Sequence, residues 1–87
     1  MATVQKILDE RAKTHGDFSY HAAITQELKM ALRSFASWEK LSPMKKEALE
    51  MIAHKIGRIL AGDSNYRDHW VDIAGYATLI ADRIASE

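Results

Sequence analysis

His54-Lys55-Ile56-Gly57-Arg58-Ile59-Leu60-Ala61-Gly62, followed after a short polar segment by Asp68-His69-Trp70-Val71-Asp72-Ile73-Ala74-Gly75-Tyr76-Ala77, decides the fold. The first run closes an apolar stripe that begins at Met44 and continues through Ala48, Leu49, Ile52, Ile56, Ile59 and Leu60, the three-to-four-residue spacing of one helix face. Gly62-Asp63-Ser64-Asn65 is turn chemistry. The second run opens another helix, with Trp70, Ile73, Ala77, Ile80 and Ile84 on its core side. A helical hairpin is expected, with Asn65 capping its second arm and Asp68 placing a carboxylate near the positive end of that helix's dipole.

Upstream, Ser42-Pro43 marks the start of the hairpin's first arm: serine caps, and proline at the first helical position has no N–H to leave unpaired. A first helix is expected from a Thr3 cap to about Thr14, with Val4, Ile7, Leu8 and Ala12 as its apolar stripe and His15-Gly16 as its stop. Asp17 or Ser19 then caps a second helix carrying Tyr20, Ile24, Leu28, Ala31, Leu32 and Phe35 as a core stripe. It fades near Ala36-Ser37, and Trp38 and Leu41 fold back over the bundle. The reading is all-α: one domain over residues 1–87, a compact four-helix bundle.

A chain of 87 residues buries a smaller share of its surface than a larger domain does, which favours self-association. The second arm of the hairpin points the same way. Val71, Ala74, Gly75 and Thr78 make its outer face small or apolar, and Gly75 costs the helix about 1 kcal/mol against alanine. A homo-oligomer is expected to cover that face, the alternative being contact with the first helix. The sequence has no cysteine, so disulfides and thiolate metal sites are excluded. Met1 to Lys6 lack the apolar segment of a signal peptide, and no later run is long enough to span a bilayer, so a cytoplasmic protein without a membrane partner is expected. Twelve acidic and twelve basic residues balance. Only Lys40, Lys45 and Lys46 gather, which argues against a nucleic-acid partner.

Four carboxylates invite chemistry: Glu47 and Glu50 on the first arm, Asp68 and Asp72 on the second. In an antiparallel hairpin turning near Asp63, Asp72 lies level with Lys55 and Asp68 with Arg58, whereas Glu50 lies about 7 Å or more along the axis from Asp72. Two uses follow. The four residues Lys55, Arg58, Asp68 and Asp72 brace the hairpin as ion pairs, or the two cations hold a phosphate while the two acids hold its Mg²⁺. Of the histidines, His15 and His21 straddle a helix start with Asp17, His54 can pair with Glu50 one turn away, and His69 suits a satisfied boundary position. No nucleophile elbow, phosphate loop or dinucleotide-binding turn is present.

Lys55-Ile56-Gly57-Arg58 and the Asp68–Ala77 run resemble small bacteriophage and prophage proteins of the MazG-like, dATP/dGTP pyrophosphohydrolase-like group, and Thr14-His15-Gly16-Asp17-Phe18 resembles the entry to that group's second helix. The resemblance implies an oligomeric all-α bundle in the cytoplasm of a bacterial host. It would bind a nucleoside phosphate with Mg²⁺ and, as an enzyme, split a nucleoside triphosphate into monophosphate and pyrophosphate. On that reading Glu47 and Glu50 are catalytic and contributed by a neighbouring subunit, Lys55, Arg58 and Tyr76 bind substrate, and Asp68 and Asp72 hold the metal. The group's signature, Glu-x-x-Glu followed by Glu-x-x-Asp, is met here by Glu47-x-x-Glu50 and His69-x-x-Asp72, with an imidazole where an acid is expected. The alternative is a non-catalytic homo-oligomeric module that acts on a host nucleic-acid or defence protein through Met30, Trp38, Met51 and the Val71–Thr78 face.

Overall fold

The computed structural model describes residues 3–86; Met1 and Ala2, the head of the stretch read above for a signal peptide, lie outside them. The fold is an all-α helical bundle: α1 is Val4–His15, α2 Phe18–Arg33, α3 Pro43–Ala61 and α4 Arg67–Ala85, with a 3₁₀ segment, Ala36–Lys40, between α2 and α3. Among the described residues there is no strand, and no helix is long and apolar enough to cross a membrane.

Local chemistry sets the boundaries. Thr3 Oγ1 accepts from Lys6 N, an Asp17 carboxylate oxygen from Tyr20 N, and Ser42 Oγ from Lys45 N with Pro43 behind it. Gly16, at φ +83°, stops α1 in a conformation that side-chain-bearing residues rarely adopt. The start of α4 differs from expectation. Its cap position is Tyr66, which offers no side-chain bond, while Asp63 Oδ1 accepts from Asn65 N and tightens the turn itself.

α3 is the spine, packed against α4 on one side and α2 on the other. The α2–α3 crossing is close at Gly57, where an added Cβ would overlap Thr25 Oγ1 and lie 2.9 Å from His21 Cδ2. This rotates α2 from the expected register. His21 and Thr25 are its buried residues, while Tyr20, Ala31 and Phe35 of the predicted stripe are exposed. Met44, Leu49 and Leu60 of α3 and Trp70, Ala77 and Ile84 of α4 are exposed too. Among the described residues the buried apolar core reduces to Trp38, Ala48 and Ala53, so Trp38 belongs to the interior and not to a docking surface.

α1 buries no residue and is held at its C-terminal end. There the backbones of Gly16 and Gly62 meet: a Cβ on the first would overlap the Ala61 carbonyl, and one on the second Thr14 O. Asp63 N donates to Thr14 O at 3.0 Å. Two helix C-termini are thus joined main chain to main chain, which brings the Thr14–Phe18 segment beside the α3–α4 hairpin.

Candidate functional site

Around that junction the four histidines stand in two pairs. His69, 1% exposed, places Nε2 3.1 Å from Thr14 O and 3.4 Å from His15 Nδ1. His21, also buried, places Nε2 3.1 Å from His54 O, and its ring meets the His54 ring edge-on at 4.6 Å. A carbonyl oxygen only accepts, so His69 and His21 each carry their proton on Nε2. Both pin neighbouring helices together. His69 is therefore an interior residue, deeper than the boundary position expected for it.

His15 and His54 remain on the wall of a groove of about 460 Å³ bounded by α1, the start of α2 and the middle of α3, with Arg11, Phe18 and Arg58 among its other lining residues. Burial, and next the Arg58 guanidinium, push each imidazole from 6.5 down to about 4; His69 and Lys55 add to the effect on His15, His21 and Lys55 to that on His54. At neutral pH both rings are uncharged hydrogen-bonding groups. Asp9 and Asp17 also line the groove, but Asp9 accepts from Gln5 and Asp17 caps α2 through Tyr20 N and Ser19 Oγ.

Among the described residues no carboxylate forms an ion pair with Arg58. The expected partner, Asp68, is exposed and unbonded to it. The other expected pair does form: Lys55 Nζ lies 2.9 Å from Asp72 Oδ2, and that bond holds the Asp72 carboxyl below its usual range. The junction therefore offers a half-buried guanidinium facing uncharged imidazoles, with a neutralised Lys–Asp pair alongside.

The remaining predicted residues lie elsewhere. Glu50 accepts from Arg33 Nη2 at 2.6 Å and Nε at 2.8 Å, tying α3 to α2 and leaving His54 without the expected partner. Glu47 and Tyr76 share a larger, mainly apolar groove of about 610 Å³ between α3 and α4, with Met44, Ala48, Leu79 and Ile80. Eleven residues of helix separate Glu47 from Arg58, about 16 Å along the axis. Among the described residues no three acidic or imidazole groups converge as a metal cage.

The family described as a domain of unknown function, DUF6378, matches residues 1–84. The chain belongs to that family. No curated protein and no solved structure matches it. The matched span includes both the Thr14–Phe18 segment and the hairpin, the two parts whose junction builds the groove.

Arg11, His15, His21 and His54 were not among the predicted site residues. Arg11 and His15 are on α1, and nothing in helical spacing reveals which neighbour a helix end will meet. The adjacent Gly16 and Asp17, a stop and a start separated by no loop, were the legible sign of a tight corner.

Proposed function

We propose that this DUF6378 chain is a MazG-like domain that binds the phosphate chain of a nucleotide at the α1–α3 junction, with Arg58 as the principal anchor. The observation that carries this reading is Arg58 itself: a partly buried arginine with no acidic partner among the described residues, lining with Arg11 a groove of nucleotide size. Guanidinium groups suit phosphate because their planar fork of donors matches two phosphate oxygens at once. The α2 N-terminus opens onto the same groove, but the Asp17 carboxylate caps it and offsets its positive end. His15 and His54, uncharged, donate or accept as the ligand requires. Lys55, paired with Asp72 and outside the groove lining, would add a further cation only where that pair opens.

Mg²⁺ commonly takes one or two carboxylates and completes its shell with phosphate oxygens and water. Asp68 and Asp72, one turn apart on α4, are the acids that would supply that number, although neither lines the groove. When bound, the metal supplies Lewis-acid polarisation of a phosphoryl oxygen. Pyrophosphohydrolase activity further requires Glu47 or Glu50 from a second copy, because neither acid reaches the groove within one chain. Assembly is accordingly part of the proposal. The chain exposes 6406 Å², where a folded monomer of 9.8 kDa exposes about 5,200 Å².

The exposed apolar faces also favour the second reading, a non-catalytic homo-oligomeric module that engages a host protein. Thermal melting against ribo- and deoxyribonucleoside triphosphates, with and without Mg²⁺, separates the two. The first reading expects a midpoint that climbs with ligand concentration and an Arg58→Gln variant that loses the climb. No shift with any nucleotide overturns it and leaves the interaction module.

A further inference from the structure

The junction groove mixes charged and apolar lining: Arg11 and Arg58, the Asp9 and Asp17 carboxylates, which are engaged within the chain, and Phe18 and Leu8. Phe18 is the first residue of α2, immediately after the Asp17 cap, a position where the helix itself makes no demand for an aromatic side chain. Its ring meets that of His21 at a centroid distance of 6.2 Å and 50°, and is otherwise open, at 79% exposure. Leu8, on α1, is 52% exposed and faces the same space. An isolated exposed phenylalanine is unremarkable on a protein surface. One on the rim of a groove that also holds two arginines is placed for a ligand with a charged end and a flat apolar end.

We propose that Phe18 is the stacking platform for the base of a nucleotide whose phosphates lie toward Arg58, so that the site selects nucleoside polyphosphates over inorganic polyphosphate. This rests on the phosphate-binding reading above and adds the base-recognition half to it. Stacking uses the π-face that every base has, so Phe18 confers preference for a nucleotide without choosing among bases. Leu8 adds a second apolar group to the same groove, and choice among bases falls to the groove's hydrogen-bonding groups, of which His54 is one.

The test is calorimetric titration of the full chain with dATP, dGTP, dCTP, dTTP and inorganic tripolyphosphate, on wild type, Phe18→Ala, Phe18→Trp and Arg58→Gln. Phe18 is so exposed that its truncation is expected to leave the melting temperature unchanged, which a parallel melt checks. Wild type is expected to bind at least one nucleotide more tightly than tripolyphosphate. Phe18→Ala then weakens that nucleotide at least about five-fold while tripolyphosphate binding stays as it was, and Phe18→Trp restores it. Arg58→Gln weakens both ligands.

A Phe18→Ala variant that leaves the nucleotide-to-tripolyphosphate ratio unaltered overturns the stacking role, while loss of both ligands in Arg58→Gln would still uphold the phosphate site. Equal weakening of both ligands by Phe18→Ala also overturns it, as does a change in sedimenting mass, which would assign Phe18 to a contact between copies. If wild type binds none of the five, the phosphate reading fails and this inference fails with it.

Discussion

Lys55 Nζ lies 2.9 Å from Asp72 Oδ2, and the cation is the more enclosed partner: the Lys55 side chain is 11% exposed, that of Asp72 44%. Breaking the pair from the acid side strands an ammonium in a nearly closed position, which costs more than a surface pair is worth. Asp72→Asn is therefore expected to lower the melting temperature by several degrees, and Lys55→Met in the same chain to recover most of the loss. Melting curves of the two variants and the double variant check this. A second readout separates bracing from binding: if Asp72 also serves a ligand's metal, the double variant regains stability without regaining a Mg²⁺-dependent shift.

The Gly57–Thr25 contact sets two effects against each other. Alanine at a helix-interior glycine gains about 1 kcal/mol in propensity. Here its Cβ would overlap Thr25 Oγ1 and crowd the His21 ring, and overpacking a crossing costs about 1–3 kcal/mol. The clash wins, so Gly57→Ala is expected to destabilise. Thr25 Oγ1 is buried without a hydrogen-bond partner, so Thr25→Ala removes the obstructing atom at little cost and should rescue Gly57→Ala. Urea unfolding of the four proteins in this cycle measures the coupling, and additive losses would show that the crossing has room to relax.

Acid should weaken the protein before its carboxylates titrate. His15 and His54 hold folded pKa values of about 4 against 6.5 when unfolded. Above 6.5 both states are uncharged at these rings and pH has no effect through them. As pH falls from 6.5 toward 4 the unfolded chain takes up protons that the folded chain refuses, so stability declines, and below 4 the loss is complete. Asp72 and Asp17 act lower on the scale: their folded pKa values are depressed below 3.8, so their contributions persist above that value and vanish as pH drops through the folded value. Urea midpoints between pH 7.5 and 4 are expected to fall, and the His15→Gln, His54→Gln double variant to flatten the slope. A bound polyphosphate should flatten it in part, by offsetting the Arg58 charge that, after burial, lowers both pKa values.

The hairpin was legible because its signals are local. Ser42-Pro43, the apolar spacing of α3 and the Gly62–Asn65 turn each act within a few residues, and the level of Asp72 with Lys55 follows from helix rise alone. The all-α class came from the same source. The rotation of α2 was not legible, since its apolar residues do form a regular stripe; the crossing at Gly57 instead turns His21 and Thr25 inward, and no spacing rule ranks a histidine above a tyrosine for the core. The groove that Arg58 lines was not legible, because α1 brings His15 to it through a main-chain contact between two glycines.

Val71 at 43% exposure, with Ala74, Gly75 and Thr78 also exposed, leaves the outer face of α4 open, and a Cβ built on Gly75 meets nothing within 4 Å. The intrachain alternative, contact with α1, does not account for Gly75. A radius of gyration of 15.0 Å against about 12 Å for a typical chain of this length also describes helices splayed enough to accept a partner. The excess surface, about 1,200 Å² over the size expectation, exceeds the roughly 800 Å² that each member of a standard protein complex buries. Sedimentation velocity is expected to show an oligomer whose melting temperature rises with protein concentration. Gly75→Leu should shift it toward monomer, while Gly75→Ala, measured at concentrations low enough to dissociate it, should stabilise the single chain by about 1 kcal/mol. An oligomer indifferent to Gly75→Leu would place the joint on other exposed apolar residues, such as Met30 and Phe35. A wild-type monomer at all concentrations would remove the second copy altogether, and with it the only route by which Glu47 or Glu50 could reach the Arg58 groove.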